Sequence, residues 1–585
     1  MDKYYTNDRN AQIILALLKA HGIRKVVASP GATNIAMTGS CQHDPWFEVY
    51  SCVDERSAAY MACGLAAESG EPVVLTCTGA TASRNYLPAM TEAHYRKLPI
   101  LAVTSTVTVE RTGHLTPQSL DRSVSPHDTF LRKIELPKIK DDEDAALAEL
   151  RVNMAILELK RRGGGPVHIN LQAGGNAFSV KELPTVRKIE RITREDAFPP
   201  LPTDGRIAVY VCSHAPWTAA QTDALDRFCA ANNAVVFCDH SSGYKGKYRL
   251  MYALVAGQDT YRSALCRPDL LIHIGELSGD YLTYGQMMSV KKVWRVSIDG
   301  EVRDTFKKLT HVFEMPEQTF FEYYAGTGAR GNGDDSYLNA CLEEHARFYK
   351  KIPEMPFSND WIAYNVAPRI PENSVLHFGV SNTMRSWTFF DVPRSVATSA
   401  NVGVRGIDGA LSTLVGASFA RPDVLHFGVL GDLTFFYDMN ALGNRHIGNN
   451  LRVMLINNGR GTEFRLYIHA GQKLLGDDAD PYVAAAGHFG NKSPTLVKHY
   501  AEDLGFEYLC ASGKEEFLAA AERFLTPELT DKPMFFEVFT DYVDESAALK
   551  ILKTIGGSAE GAMKDLARNI LGPSGISFAK KILGK

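Results

Sequence analysis

The stretch Gly431 to Tyr467, GDLTFFYDMNALGNRHIGNNLRVMLINNGRGTEFRLY, restricts the fold more than any other part of the chain. One apolar run ends in Gly431-Asp432, a helix is expected from about Tyr437, and a second apolar run, Arg452 to Ile456, ends in the polar elbow Asn457-Asn458-Gly459. Run, helix, run is the pattern of a parallel βαβ unit, which commits this region to an α/β sheet covered on both faces. Ligands of such sheets collect beyond the carboxyl ends of the strands. Asp432 and Asn458 fall at two such ends, and with the carbonyl of Arg460 they offer three hard oxygen donors of the kind that suits Mg²⁺ bridged to a diphosphate. Asp and Asn also cap helices and turns, so the metal reading needs support from elsewhere in the chain.

The same grammar recurs upstream. A helix from Ala11 to Ala20, with Ile13, Ile14, Leu17 and Leu18 at helical spacing, stops at His21-Gly22 before a strand from Lys25 to Ser29 and the loop Pro30-Gly31-Ala32-Thr33-Asn34. A strand from Val49 to Val53 runs into Asp54-Glu55-Arg56, so Glu55 stands at a strand's carboxyl end. A helix rich in small residues follows over Ser57 to Ser69, then strands over Pro72 to Cys77, Pro99 to Thr104 and Gly165 to Leu171. At 585 residues the chain exceeds a single core. The expected organisation is three doubly wound parallel-sheet α/β domains at 1–183, 206–335 and 336–550, with a linker at 184–205 and a helical tail at 551–585, and the helical pattern that runs from after Tyr542 to the end carries Lys550, Lys553 and Lys564 on its polar face. No short-period internal repeat is visible.

Net charge of −4 and a pI near 6.5 exclude the strong basic excess of a general nucleic-acid or anionic-membrane binder. The ten cysteines form no CxxC pair and sit in apolar contexts, which predicts buried reduced thiols. The N-terminal MDKYYTNDRN lacks the apolar core of a signal peptide and no run of 18 apolar residues occurs, so a soluble cytoplasmic protein is expected.

Five blocks in order, Ser29-Pro30-Gly31, Asp54 through Ala59, Gly165 through Asn170, Gly406-Ile407-Asp408-Gly409 and Gly431-Asp432 through Asn458, resemble the thiamine-diphosphate-dependent 2-oxoacid decarboxylase and carboligase superfamily. DERSAA, GIDGALST and GDLTFFYDMNAL are similar, within it, to the menaquinone-pathway synthases of succinyl-enolpyruvyl-hydroxycyclohexene-carboxylate. The resemblance implies a PYR domain, a central domain and a PP domain, thiamine diphosphate with Mg²⁺ or Mn²⁺, and a homodimer or homotetramer with the cofactor between the PYR domain of one subunit and the PP domain of another. It implies that Glu55 hydrogen-bonds the aminopyrimidine ring, that Ile407 bends the cofactor, that Gly431, Asp432, Leu433 and Asn458 bind it, and that Asp432, Asn458 and the Arg460 carbonyl hold the metal.

A carboxyl buried against the ring would have its protonated form favoured and could share a proton with the ring nitrogen. The resemblance also matches Gln118 to an active-site glutamine, and Ser381 and Arg385 to a substrate-carboxylate clamp, a task suited to an arginine fork. The chain departs from the synthases at Thr33 and Val402, where they have arginines, and Arg405 or Arg84 could only partly stand in for them. The expected activity is decarboxylation of a 2-oxo acid with ligation of the carbanion to a second small-molecule acceptor. The alternatives are the synthase reaction itself, 2-oxoglutarate plus isochorismate, and a catalytically silent binding subunit.

Overall fold

The computed structural model describes residues 4–106, 111–172, 177–327, 334–488 and 493–557. Three parallel sheets flanked by helices make an α/β fold, and the chain divides into two compact units, one of residues 1–192 with 301–304 and 309–312, the other of the remainder.

The first unit is built on six parallel strands in the order Glu48–Ser51, Lys25–Ala28, Val73–Thr78, Ile100–Thr106, Val167–Gln172 and Arg132–Leu136. Side chains alternate between its faces. Val26, Val74 and Leu101 join one apolar cluster with the helices Arg9–Ala20 and Asp142–Glu158. Val27, Val73, Leu75 and Ala102 join another with the helices Glu55–Ser69 and Leu87–Arg96. Sheets buried on both sides need near-continuous apolar strands, and VVLTCT and ILAVTST are of that kind.

The second unit holds two sheets. In one, five parallel strands lie in the order Arg249–Met251, Val235–Cys238, Ile207–Val211, Leu270–Ile274 and Lys292–Ser297. The other has six parallel strands in the order Ala397–Ala400, Val375–Phe378, His426–Gly431, Leu451–Asn457, Met534–Phe539 and Glu507–Ala511. Taken in chain sequence, the strands of this sheet are laid down in the same spatial order as those of the first unit's sheet, a likeness that no residue-level repeat announces. In both, the chain reverses direction across the sheet beside its first strand, and the crevice at that point is where such folds place ligands.

Several expectations shift. The helix expected from Tyr437 begins at Asp432, directly on the strand end, since an acidic residue suits a helix's first turn and Phe435 and Phe436 turn inward to the core. The expected linker contains a short strand, Glu190–Ile192. Lys553, expected on a polar face, is buried, donates to the Gly257 carbonyl at 2.7 Å and pairs with Asp259 at 3.1 Å. Eight cysteines are buried thiols as expected, but Cys52 is half-buried and Cys510 is exposed. The tail from 558 onward, Lys564 included, and residues 328–333 lie outside the described residues. No described helix is long and apolar enough to cross a membrane.

Candidate active site

The elbow at Asn457-Asn458-Gly459 is held from several sides. The Asn457 amide donates to Glu537 at 2.7 Å, and Gly459, at a φ of 72°, turns the chain where a side chain would be strained. The guanidinium of Arg460 pairs with Asp480 at 2.5 Å and lies 4.3 Å from the centre of the Tyr542 ring. Asp432 stands opposite, on the neighbouring parallel strand and helix start. Its carboxylate accepts the backbone N–H of Leu433 at 2.7 Å and those of Gly459 and Arg460, yet burial pushes its pKa up to about 7. The Asn458 Oδ1 is fully buried and without a hydrogen-bond partner.

A carboxylate short of positive charge beside an unpaired amide oxygen is a costly arrangement unless a cation completes it. Among the described residues no group of three or more His, Cys, Asp or Glu side chains could hold a metal. The donor set here, one carboxylate, one amide and one carbonyl, instead fits an ion that keeps waters and phosphate oxygens in its shell, as Mg²⁺ does. At Gly431 nothing lies within 4 Å of where a Cβ would be, which leaves the backbone open to a ligand beside Asp432 and Leu433.

A cavity of about 230 Å³ opens at the switch point of the same sheet, lined by Gly279, Tyr281, Val380, Ser381, Met384, Val402, Arg405 and Glu463. Ser381 begins the helix Asn382–Thr388 at a φ of 64°. Gln118 has a φ of 63° and Arg405 of 55°, so three of the candidate residues carry backbone strain of the kind that collects at functional sites. Val402 is buried in the cavity wall, as its side chain demands. Arg385 is buried behind the cavity, and both of its terminal nitrogens meet the Glu463 carboxylate, at 2.7 and 2.6 Å. The same nitrogens donate to Tyr281 Oη at 3.1 Å and Asn382 Oδ1 at 2.7 Å. Arg405 donates to the Ser278 carbonyl at 2.6 Å and lies 5.2 Å from the Tyr281 ring centre. Ile407 is half-buried in the turn that follows.

Glu463 and Tyr281 are missed by sequence reasoning. Glu463 lies five residues past Asn458 and nothing in the local pattern marks it, because its partner is 78 residues away. A second missed feature lies deeper, where Asn382 links Arg385 to Glu545 through a donor bond of 3.4 Å, and Glu545 and Asp360 are both buried acids.

In the first unit Glu55 opens the helix Glu55–Ser69, which Asp54 caps by accepting the Ser57 N–H at 2.7 Å. Glu55 is half-buried, whereas Tyr60, Met61 and the preceding Val53 are exposed. Thr33 donates its hydroxyl to the Ser105 carbonyl at 2.8 Å, at the crevice between the strands Lys25–Ala28 and Val73–Thr78. Arg84 lines a separate pocket with Arg122, Lys133 and His168.

Comparison with known proteins completes the picture. Residues 8–125 match the family described as thiamine pyrophosphate enzyme, N-terminal TPP binding domain. The chain is 31% identical over 569 residues to the 2-succinyl-5-enolpyruvyl-6-hydroxy-3-cyclohexene-1-carboxylate synthase of Bacteroides thetaiotaomicron, covering 93% of this chain and 98% of that protein. It is 30% identical to the synthase of Bacteroides fragilis and 29% to that of Phocaeicola vulgatus, at the same coverage. The chain belongs to this family of synthases. It is therefore a thiamine-diphosphate-dependent enzyme of lyase or transferase type acting on small molecules, and the silent-subunit reading falls away. Between the remaining readings, membership favours the synthase over a generic decarboxylase.

Proposed function

We propose that the enzyme decarboxylates a 2-oxo acid and ligates the resulting acyl carbanion to an unsaturated acceptor, as a synthase of its relatives' type, rather than releasing a simple aldehyde. The observation that carries this reading is the end-to-end similarity to synthases, 98% of one relative's length, supported by Asp432 and Asn458 directly after the strands His426–Gly431 and Leu451–Asn457 and by Glu55 at the start of the helix that follows the strand Glu48–Ser51, rather than on the strand end itself. Thiamine diphosphate, when bound, supplies the electron sink that lets the bond between C1 and C2 of the acid break, with carbon dioxide leaving and the electron pair kept for attack on the acceptor.

Each residue has a task in this reading. Asp432, Asn458 and the Arg460 carbonyl hold Mg²⁺ against the diphosphate, supported by the buried, unpaired Asn458 Oδ1. Gly431 and Leu433 would offer backbone to the cofactor, and Ile407 would pack against it. Glu55 holds a proton against the aminopyrimidine nitrogen. Gln118, Ser381 and Arg405 orient substrate. Two subunits at least share each site, Glu55 coming from one and Asp432 from the other, in a homodimer or homotetramer. The exposed Val53, Tyr60 and Met61 around the Glu55 helix support this, since a protein rarely leaves such side chains grouped in water.

The test uses purified protein with thiamine diphosphate, Mg²⁺, isochorismate and, as donor, either 2-oxoglutarate or pyruvate, following carbon dioxide and product mass. A ligated product supports the synthase type, and aldehyde alone overturns it. A second reading, the same ligation with another acid donor, is favoured by Thr33 and Val402 in place of arginines and by the engagement of Arg385 with Glu463.

A further inference from the structure

The relatives' named product carries a succinyl group, whose free carboxylate needs a cation in the site that takes it. Arg385 is the residue of this chain that the resemblance matches to a substrate-carboxylate clamp. Its four terminal N–H groups are matched by four acceptor contacts: Glu463 Oε1 and Oε2, Tyr281 Oη and Asn382 Oδ1. A guanidinium has five donors, and the fifth, on Nε, is buried without a partner. Arg385 has no fork left for a ligand. What the pair shows the cavity is Glu463, whose side chain is 21% exposed while that of Arg385 is 1% exposed.

The rest of the wall is uncharged up to its rim. Val380, Met384 and Val402 are buried apolar side chains, and Gly279 lies so close to the end of the Met384 side chain that a Cβ there would make it shift. Ser381 and Tyr281 add hydroxyls. Arg405, exposed on the rim, spends one donor on Ser278 and keeps others for the single carboxylate that every 2-oxo acid carries. A second carboxylate at the far end of the acid would meet Glu463, and like charges brought together in a partly enclosed site are strongly disfavoured.

We propose that this cavity takes a 2-oxo acid with a short, uncharged side chain, and that Glu463, by holding Arg385, is the residue that excludes a dicarboxylic donor. The proposal rests on the ligation reading above and specifies its donor. Specificity of this form comes from a repulsive group as much as from an attractive one.

The experiment compares wild type with Glu463→Gln, each loaded with thiamine diphosphate and Mg²⁺, by carbon dioxide release from pyruvate, 2-oxobutyrate and 2-oxoglutarate. The expected wild-type preference in kcat/KM for the better neutral acid over 2-oxoglutarate is about 100-fold, and Glu463→Gln narrows it by roughly 10-fold or more, chiefly through KM for 2-oxoglutarate. Both proteins are also titrated by calorimetry with glutarate, a dicarboxylate that cannot react. Wild type is expected to give no binding and Glu463→Gln to bind. The double variant Arg385→Met, Glu463→Leu, which removes both charges, is expected to bind no glutarate. Wild type that uses 2-oxoglutarate as well as the neutral acids overturns the proposal, whether or not the variant folds. So does a folded Glu463→Gln with an unchanged preference and no glutarate binding. If neither protein releases carbon dioxide from any acid, the ligation reading fails while the glutarate titration still decides the role of Glu463.

Discussion

Asp432 and Asn458 carry their meaning in position: each ends an apolar strand, and the structure leaves one carboxylate without countercharge and one amide oxygen without a donor. Asp432→Asn and Asn458→Ala are expected to weaken Mg²⁺-dependent binding of thiamine diphosphate by roughly 10-fold or more, read by calorimetry, since metal sites lose affinity when a ligand is removed. Binding equal to wild type would remove both from the metal site. Glu55→Gln keeps the shape of the side chain but cannot hold the transferable proton. Its kcat is expected to fall by about 10²- to 10⁴-fold with cofactor binding retained, the usual span for a lost acid–base group, and undiminished turnover would end that assignment. At this scale the candidate residues at strand ends were legible, because a strand end is a local pattern. Glu463 was not, because its role is set by a bidentate pair with Arg385, 78 positions earlier.

Two helices of the second unit, Asn359–Val366 and Tyr542–Thr554, each bury an acid, Asp360 and Glu545. Burial raises Asp360 to about 6, and burial reinforced by Asp360 raises Glu545 to about 7. Glu545 accepts from Thr540 Oγ1 at 2.7 Å and from the Asn359 N–H at 3.1 Å, and a hydrogen bond with Ser386 and the charge of Arg385 partly oppose the rise at Asp360. Acids whose folded pKa lies above the unfolded value are protonated in the folded state while the unfolded chain has already ionised. Stability is thus fully supported below the unfolded values and declines as pH rises from about 4 towards 7, where both states have ionised. Glu545→Gln is expected to flatten that decline by on the order of 2 kcal/mol across the interval, measured by urea unfolding at a series of pH values. A slope equal to wild type would show that Glu545 titrates normally. The parallel strands of these sheets were readable from their apolar runs, but the placement of Lys553 was not. The helix that carries it has polar residues on more than one side, and only packing decides which side meets the Gly257 carbonyl.

The two six-stranded sheets share one strand order, and the ligand crevice of each falls beside its first strand. Strand runs and strand-end loops made the α/β class legible, whereas the common order was hidden because topology is a property of pairing and leaves no mark on residue identity. If each active site draws Glu55 and Asp432 from different subunits, two inactive proteins can repair one another. Mixing Glu55→Gln with Asp432→Asn under conditions of subunit exchange is expected to restore about a quarter of wild-type turnover, since half the dimers are mixed and each regains one of two sites. No recovery despite exchange, verified by native mass spectrometry, would place both residues in a site within one subunit.

The uncompensated Asp432 and Asn458 also make folding a function of what is dissolved around the protein. A ligand that binds the folded state alone stabilises it by about 2.7 kcal/mol when its free concentration is 100 times Kd. Stripping Mg²⁺ with a chelator is therefore expected to lower Tm, and adding back metal with thiamine diphosphate to raise it in proportion to the logarithm of their free concentration. A Tm for this enzyme is then a coordinate on a binding curve, and it has meaning only with the cofactor concentration stated beside it.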